Sequence, residues 1–307
     1  IYTGEDTLSL HDALPIFDPM EKTIHDVYSN VNSIDLRKQF KMVHEYPLSG
    51  SPPVMTHIYQ NDKNETIIAC KGGVETVIAQ SNLSEGDKKI IIQQTEQFAS
   101  RGFRVLAVAS VENTKSTFPV LQELFIYHVL GLIAFYDPPK KNTASIIESF
   151  YKAGIQIKMI TGDYAATAIA IAQQIGLKSE AAAITGNEIM EMDDSTLSKA
   201  VSKTNLFVRM FPDAKLKVVE ALKRNGEVVA MTGDGVNDGP ALKAAHIGIA
   251  MGKRGTETAK QAASLIITDD DMQHMVEAVA LGRRIYENLK KAIRYIISIH
   301  IPIILIV

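Results

Sequence analysis

Residues Met231–Lys243 read MTGDGVNDGPALK. Asp234, Asn237 and Asp238 stand among three glycines, directly after the apolar run VVAM. Acid-rich turns hold hard cations, and glycine-rich turns let the backbone come close to phosphate oxygens. Mg2+ takes oxygen ligands and keeps several waters, so one or two fixed carboxylates plus a substrate phosphate complete a site. Asp234, at a strand end, is placed to ligate directly. Asp238, one helical turn on, is placed to hold a metal-bound water or a backbone amide. Pro240 suits a first helical position, where backbone amides face an anion. Two acids in a turn are also ordinary for a solvated loop, so the reading depends on whether the same chemistry recurs.

It recurs at Thr161-Gly162-Asp163. From Val129 onward, uninterrupted apolar runs (VLGLIAFYD, IQIKMITGD, LFVRM, EVVAMTGDG, HIGIAMG, SLIIT) alternate with helical segments. Continuous apolarity is what strands covered on both faces require. AATAIAIAQQIG, with Gly176 as C-cap, and AKLKVVEALKR carry good helix formers between them. Strand–helix repetition predicts a doubly wound parallel sheet, whose ligands bind at the strands' carboxyl ends. Three runs end there in polar residues: Asp137, Thr161-Gly162-Asp163 and Thr232-Gly233-Asp234. A phosphoryl group in flight spreads negative charge and calls for a cation. Lys215, opening the helix after LFVRM, is the candidate; a lysine on a helix is as often a solvated side chain, and spacing leaves both open.

Residues 17–125 have a different texture. FDPMEKTIHDVY reads as a helix with Asp18 as N-cap and Pro19 first. VMTHIYQ, TIIACKG and FRVLAVASV are β-branched and aromatic, and NDKNE between the first two reads as a hairpin loop. This predicts a mixed, antiparallel module. The 307 residues suffice for two domains, and 46% hydrophobic content supplies a core. A net charge of -3 with interspersed signs argues against nucleic-acid binding. The one cysteine, Cys70, excludes an internal disulfide and fits a reducing compartment.

The two ends stand apart. Residues 295–307, YIISIHIPIILIV, carry no charge and follow the basic stretch GRRIYENLKKAIR. They read either as a buried amphipathic helix end or as a membrane helix entering lipid from the cytoplasmic side, and the basic flank favours the second. A full span needs roughly 20 apolar residues. Residues 1–16 sustain neither period and read as a non-native junction segment.

TGDGVNDGPALK, MITGD, DPPK, FVRMFPDAK and KGG, in their order along the chain, resemble the type II P-type cation-transporting ATPases, in particular a calcium-pump-like bacterial member. The resemblance covers about residues 17–307. It implies an α/β chain with a haloacid-dehalogenase-like doubly wound phosphorylation domain (126–281). An inserted α+β nucleotide-binding domain (17–125) and a stalk with the start of a transmembrane helix (282–307) accompany it. It implies ATP and Mg2+ as ligands, ATP hydrolysis through an aspartyl-phosphate, cation transport favouring calcium, and a lipid bilayer as partner. Residues 17–290 would face the cytoplasm.

Residue by residue, Asp234 matches the family's Mg2+ ligand, supported by Asn237 and Asp238. Thr161, Gly162 and Asp163 match the motif around the transferred phosphate, and Lys215 the lysine that neutralises it. Lys71 and Gly72 of KGGVE resemble the family's KGAPE beside the nucleotide, with Gly73 and Val74 replacing Ala and Pro. Arg104 resembles the arginine bridging nucleotide and phosphate. Asp137 resembles the hinge aspartate of DPPR, with Lys140 in place of arginine. Tyr46 falls where an aromatic stacks on adenine, and equally suits a core position.

Other positions depart from the pattern. Ser51 stands where many members carry a basic residue, and His246 where they carry aspartate. His300 and Ile303 replace an amide and an acidic ion ligand, and a contact from His300 to backbone fits as well as an ion-site role. The DKTGT segment that supplies the nucleophile in the family does not occur in the 307 residues, and Asp6 in GEDTLSL lacks its neighbours. The strand before that aspartate lies centrally in the family's sheet, so without it two strands keep unpaired edges and the chain is expected to be marginal. A soluble phosphatase of the same superfamily and a non-catalytic ATP-binding module are the competing readings.

Overall fold

A computed structural model describes residues 19–31, 35–50, 52–111, 118–179 and 181–306. Residues 1–16, Asp6, Asp18 and Ser51 lie outside them. The chain divides into two compact units, one of residues 1–98 and 103–136, the other of 99–102 and 137–307.

The first unit begins with α1 (Pro19–Val31), whose proline stands at the helix start as its fixed φ allows. Strands β1 (Phe40–Gly50), β2 (Pro53–Asn61) and β3 (Thr66–Gly72) come next. After them stand α2 (Val74–Ala79), α3 (Glu85–Ala99), β4 (Arg104–Val111) and β5 (His128–Phe135). The five strands form one antiparallel sheet in the order β1-β2-β3-β4-β5. The NDKNE turn joins β2 to β3 as predicted, with Asn64 in the left-handed region at φ 62°. Alternation assigns the faces. Val54, Thr56 and Ile58 of β2, Ile68 and Cys70 of β3, and Ala107 and Ala109 of β4 are buried. With Val74, Val77, Phe125 and Tyr127 they make the core. A polar thread crosses it: the Thr56 and Tyr127 hydroxyls lie 3.0 Å apart, and Gln122 Nε2 donates to the carbonyls of Pro47 and Val54. Burial pushes the Tyr127 hydroxyl and the Cys70 thiol up.

One strand sits elsewhere than predicted. VLGLIAFYD, read as the first strand of the parallel domain, forms β5 and pairs antiparallel with β4 from Arg104↔Phe135 to Ser110↔His128. The first unit therefore ends at Tyr136 rather than near residue 125. Continuous apolarity misled here because it does not reveal the direction of a strand's neighbour.

The second unit alternates as predicted through α4 (Thr143–Lys152), β6 (Met159–Ile160), α5 (Ala165–Gln174), β7 (Ile184–Thr185) and α6 (Gly186–Glu191). It continues with α7 (Asp194–Lys203), β8 (Leu206–Val208), α8 (Pro212–Arg224), β9 (Ala230–Gly233) and α9 (Gly239–Ala244). It closes with β10 (Ile247–Met251), α10 (Glu257–Ala262), β11 (Leu265–Ile267) and α11 (Gln273–Ile306). Gly176 takes φ 71° just past α5, as its C-cap role requires. All strand pairs are parallel, but in two three-stranded sheets, β6-β8-β7 and β11-β10-β9. Each sheet ends in a strand that closes on a Thr-Gly-Asp turn, β6 in one and β9 in the other. Both β6 and β9 pair on one side only among the described residues. Phe207, Val208 and Val218 are fully buried beside them.

Helix α11 begins ahead of the predicted stalk and runs through it unbroken. Its Arg283 guanidinium donates to the carbonyl of Ala153. Among the described residues no helix is long and apolar enough to cross a membrane. His300 is exposed, with Nδ1 2.8 Å from the Ile296 carbonyl, so the backbone contact is the one formed.

Candidate active site

The strand carboxyl ends of the second unit are tied to one another by hydrogen bonds. After β6, the Thr161 hydroxyl donates to Asp163 Oδ2 at 3.0 Å and accepts from the Asp163 amide at 3.1 Å. This closed Ser/Thr-type turn holds the carboxylate against the chain. The Thr161 and Asp163 carbonyls accept the amides of Met210 (3.0 Å) and Arg209 (3.2 Å), which join the turn to the end of β8. Arg209 sits at φ 51°, a costly conformation for a residue with a Cβ, and its guanidinium lies 5.2 Å from the Tyr164 ring centre.

Three residues after Arg209 α8 begins, and Lys215 lies in its first turn. Its Nζ reaches Asp238 Oδ1 at 2.7 Å, with side-chain exposures of 14% and 11%. That burial separates Lys215 from a solvated helix lysine. The other Asp238 oxygen accepts the Gly235 amide at 3.2 Å. Gly233 makes this possible: a Cβ there would lie 2.6 Å from Asp238 Cβ. Asp238 was expected to share in ligating a metal. One of its oxygens accepts from Lys215 and the other from the Gly235 amide, so it also braces the turn and orients Lys215. Asp234 and Asn237 are exposed at the end of β9, and the Asp234 carbonyl accepts the Thr256 amide at 2.8 Å.

Among the described residues no group of three or more His, Cys, Asp or Glu side chains forms a metal cage. The one exposed carboxylate of the turn fits a cation that retains water and takes its other ligands from a substrate, as Mg2+ does. It would suit a zinc-type closed site poorly. Asp137 is exposed, and Lys140 beyond it donates to the Asp270 carbonyl at 2.7 Å. His246 is exposed, and its Nδ1 accepts the Val229 amide at 3.1 Å, tying the start of β10 to the entry of β9.

In the first unit the sheet has two faces, and the predicted nucleotide residues divide between them. Lys71 pairs with Met55 and Val108, and Arg104 lies on β4 in step with Val108. Both belong to the face opposite the core. Tyr46 pairs with Thr56 on the core face; it is 5% exposed and donates its hydroxyl to the Pro119 carbonyl. Its ring meets His44 and Phe125 edge-on. The core alternative for Tyr46 is the one this geometry favours, because alternation turns it away from Lys71 and Arg104. Gly72 is buried with no space for a side chain: a Cβ would lie 2.5 Å from Val54 Cα. Its demand is packing, which accounts for it without a ligand. Lys71 is ion-paired with Glu21 of α1.

Sequence reasoning passed over Glu21, Arg209 and Asp270. Glu21 carries no local signal, since its partner is distant in sequence. Asp270 had one: TDDD comes after the SLIIT strand as another strand-end acid cluster.

Comparisons with known proteins give the family. The family of haloacid dehalogenase-like hydrolases matches residues 61–246. The chain is similar to Calcium-transporting ATPase type 2C member 1 of Homo sapiens, at 40% identity over 83% of this chain and 28% of that protein. It is similar to Sodium/potassium exporting P-type ATPase cta3 of Schizosaccharomyces pombe, at 33% identity over 91% and 29%. Probable cation-transporting ATPase F of Mycobacterium tuberculosis is 39% identical over 81% and 29%. The chain thus spans under a third of the length of the curated relatives it matches.

Proposed function

We infer a phosphoryl-transfer role for this chain, which belongs to the haloacid dehalogenase-like hydrolases and has cation-transporting P-type ATPases as curated homologues over most of its length. Those relatives form an ATP-hydrolysing enzyme family. In this reading the chain contributes the nucleotide-binding and phosphorylation units of an ATP-driven, membrane-bound cation pump. The observation that carries it is the 2.7 Å contact of Lys215 with Asp238 beside the exposed carboxylate of Asp234, at the strand carboxyl ends.

Asp234 would hold Mg2+ together with water and substrate oxygens, and the ion would supply charge neutralisation at the terminal phosphate of ATP. The chain's own groups then divide the work. Lys215 faces the developing negative charge, and Asp238 keeps its ammonium aimed there. Thr161 and Asp163 border the phosphate with their own donors closed on the turn, while the glycines of both turns let backbone approach. Lys71 and Arg104 hold the nucleotide on the outer face of the five-stranded sheet. The carboxylate that accepts the phosphoryl group has no DKTGT source within these 307 residues, so the chain by itself is expected to bind Mg2+-ATP only weakly and not to turn it over.

The transported ion is proposed as calcium, in line with the first of the relatives; another is named for sodium and potassium. The basic belt and uncharged end of α11 support a lipid bilayer at that end, with the remainder on the cytoplasmic side. Calorimetric titration of the chain with Mg2+-ATP tests the reading. Asp234→Ala should remove the magnesium-dependent part of binding; an unchanged isotherm would refute the assignment.

A further inference from the structure

We propose that Asp270 is a positioning residue that locks the Asp234 turn to the 137–140 linker, a role that rests on the phosphoryl-transfer reading above. Asp270 is 5% exposed and sits in the left-handed region at φ 61°. Aspartate adopts that conformation more readily than most residues with a Cβ, so its contacts and not its backbone set it apart. The surroundings here are specific. Oδ1 accepts the Lys253 amide at 2.9 Å, and Oδ2 accepts the Arg254 amide at 3.0 Å with Arg254 Nε at 3.6 Å. On its other side the Asp270 carbonyl accepts Lys140 Nζ at 2.7 Å.

The gripped loop leads to the site. It runs from β10 to Thr256, whose amide donates to the Asp234 carbonyl at 2.8 Å and whose hydroxyl accepts the Ala259 amide to cap α10. The loop has no slack. A Cβ on Gly255 would lie 2.0 Å from the Met251 carbonyl oxygen, and one on Gly252 would lie 2.6 Å from Thr268 Cα. A shift at Lys253 or Arg254 is therefore passed on to Thr256 rather than absorbed. The linker 137–140 leaves the first unit directly after Tyr136. Asp270 thus joins the covalent exit of that unit to the backbone of the residue assigned to the metal. It touches neither metal nor substrate.

The test uses the full 307-residue chain and Mg2+ alone as the probe, read as amide hydrogen exchange at 233–238 during a magnesium titration. Asp270→Asn keeps the shape and tolerates the left-handed conformation but removes the charge that its amide donors and Arg254 face. It should raise the magnesium concentration for half-protection about 10-fold, the scale of one lost charge-assisted hydrogen bond. Lys140→Met, which cuts only the linker contact, should raise it about 3-fold. Exchange in the five-stranded unit should not change in either variant. Faster exchange confined to 252–256, with wild-type half-protection at 233–238 in both variants, would make Asp270 a local loop staple and overturn the proposal. If Asp270→Asn disrupts the parallel unit, Lys140→Met decides alone. Asp234→Ala separates the two readings: wild-type magnesium protection in that variant refutes the metal assignment. Metal-free exchange at 233–238 then still decides the coupling, faster in Asp270→Asn if it holds and unchanged if it does not.

Discussion

The same tripeptide, Thr-Gly-Asp, closes β6 and β9, yet the two turns are built in opposite ways. After β6 the aspartate folds back onto its own threonine, and the glycine is exposed, with the Met210 carbonyl 3.5 Å from where a Cβ would stand. After β9 the aspartate is exposed, and the glycine is pressed against Asp238 at 2.6 Å. The residues downstream of each turn make the difference. Tyr164 leads straight into a ten-residue helix, whereas Gly235-Val236-Asn237-Asp238 inserts a 3-10 turn that brings a second carboxylate back over the glycine. One turn satisfies its own acid with its own hydroxyl; the other spends a second acid on bracing so that the first stays available. A motif's spelling therefore does not fix its role.

The largest expected effect concerns both strands together. Because β6 and β9 are paired on one side only among the described residues, the chain should be marginal and self-associating. An unpaired buried backbone group costs about 1–3 kcal/mol against a whole-domain stability of about 5–15 kcal/mol. Size-exclusion chromatography should give species larger than a monomer, and a monomeric peak with a cooperative melt would refute this. Next, Lys215→Ala strands a nearly buried carboxylate on the β9 side and should cost about 3 kcal/mol, read from urea midpoints. A matching loss in Lys215→Met/Asp238→Leu would show that packing rather than charge is at stake. The glycines give the sharpest contrast. Gly233→Ala should cost about 1–3 kcal/mol through overpacking, while Gly162→Ala should stay within about 0.5 kcal/mol of wild type. Equal costs would erase the distinction between the turns.

The smallest effect is a pH dependence confined to the β9 side. Burial alone would raise the Asp270 carboxyl, but the Lys253 and Arg254 amides outweigh it and hold the group below its ordinary range. A depressed folded value contributes stability above the unfolded value of about 3.9, and this fades as pH falls through the folded one. Protection at 252–256, taken relative to the intrinsic exchange rate at each pH, should therefore fall on acidification below about pH 4 before protection at 161–163 does.

Much of this was legible in the sequence, because periodicity and strand-end polarity are local. The alternating second unit, the two Thr-Gly-Asp turns, the Gly176 cap and the NDKNE turn are all set by residues within one element. The features that escaped depended on partners far along the chain. The placement of β5 turns on pairing with β4, which no apolar run encodes. The burial of Tyr46 depends on which face of β1 meets Thr56. The bracing role of Asp238 needs Lys215, 23 residues earlier.

In the nucleotide-binding role proposed for Lys71, its ion pair with Glu21 shapes how a ligand is captured. A cation that already holds an internal anion acts as an exchanger: an arriving phosphate must displace the resident carboxylate or share the ammonium with it. The released glutamate regains water, so net charge at that position changes little on occupancy. Affinity contributed there should respond weakly to added salt, unlike attraction to a bare basic patch.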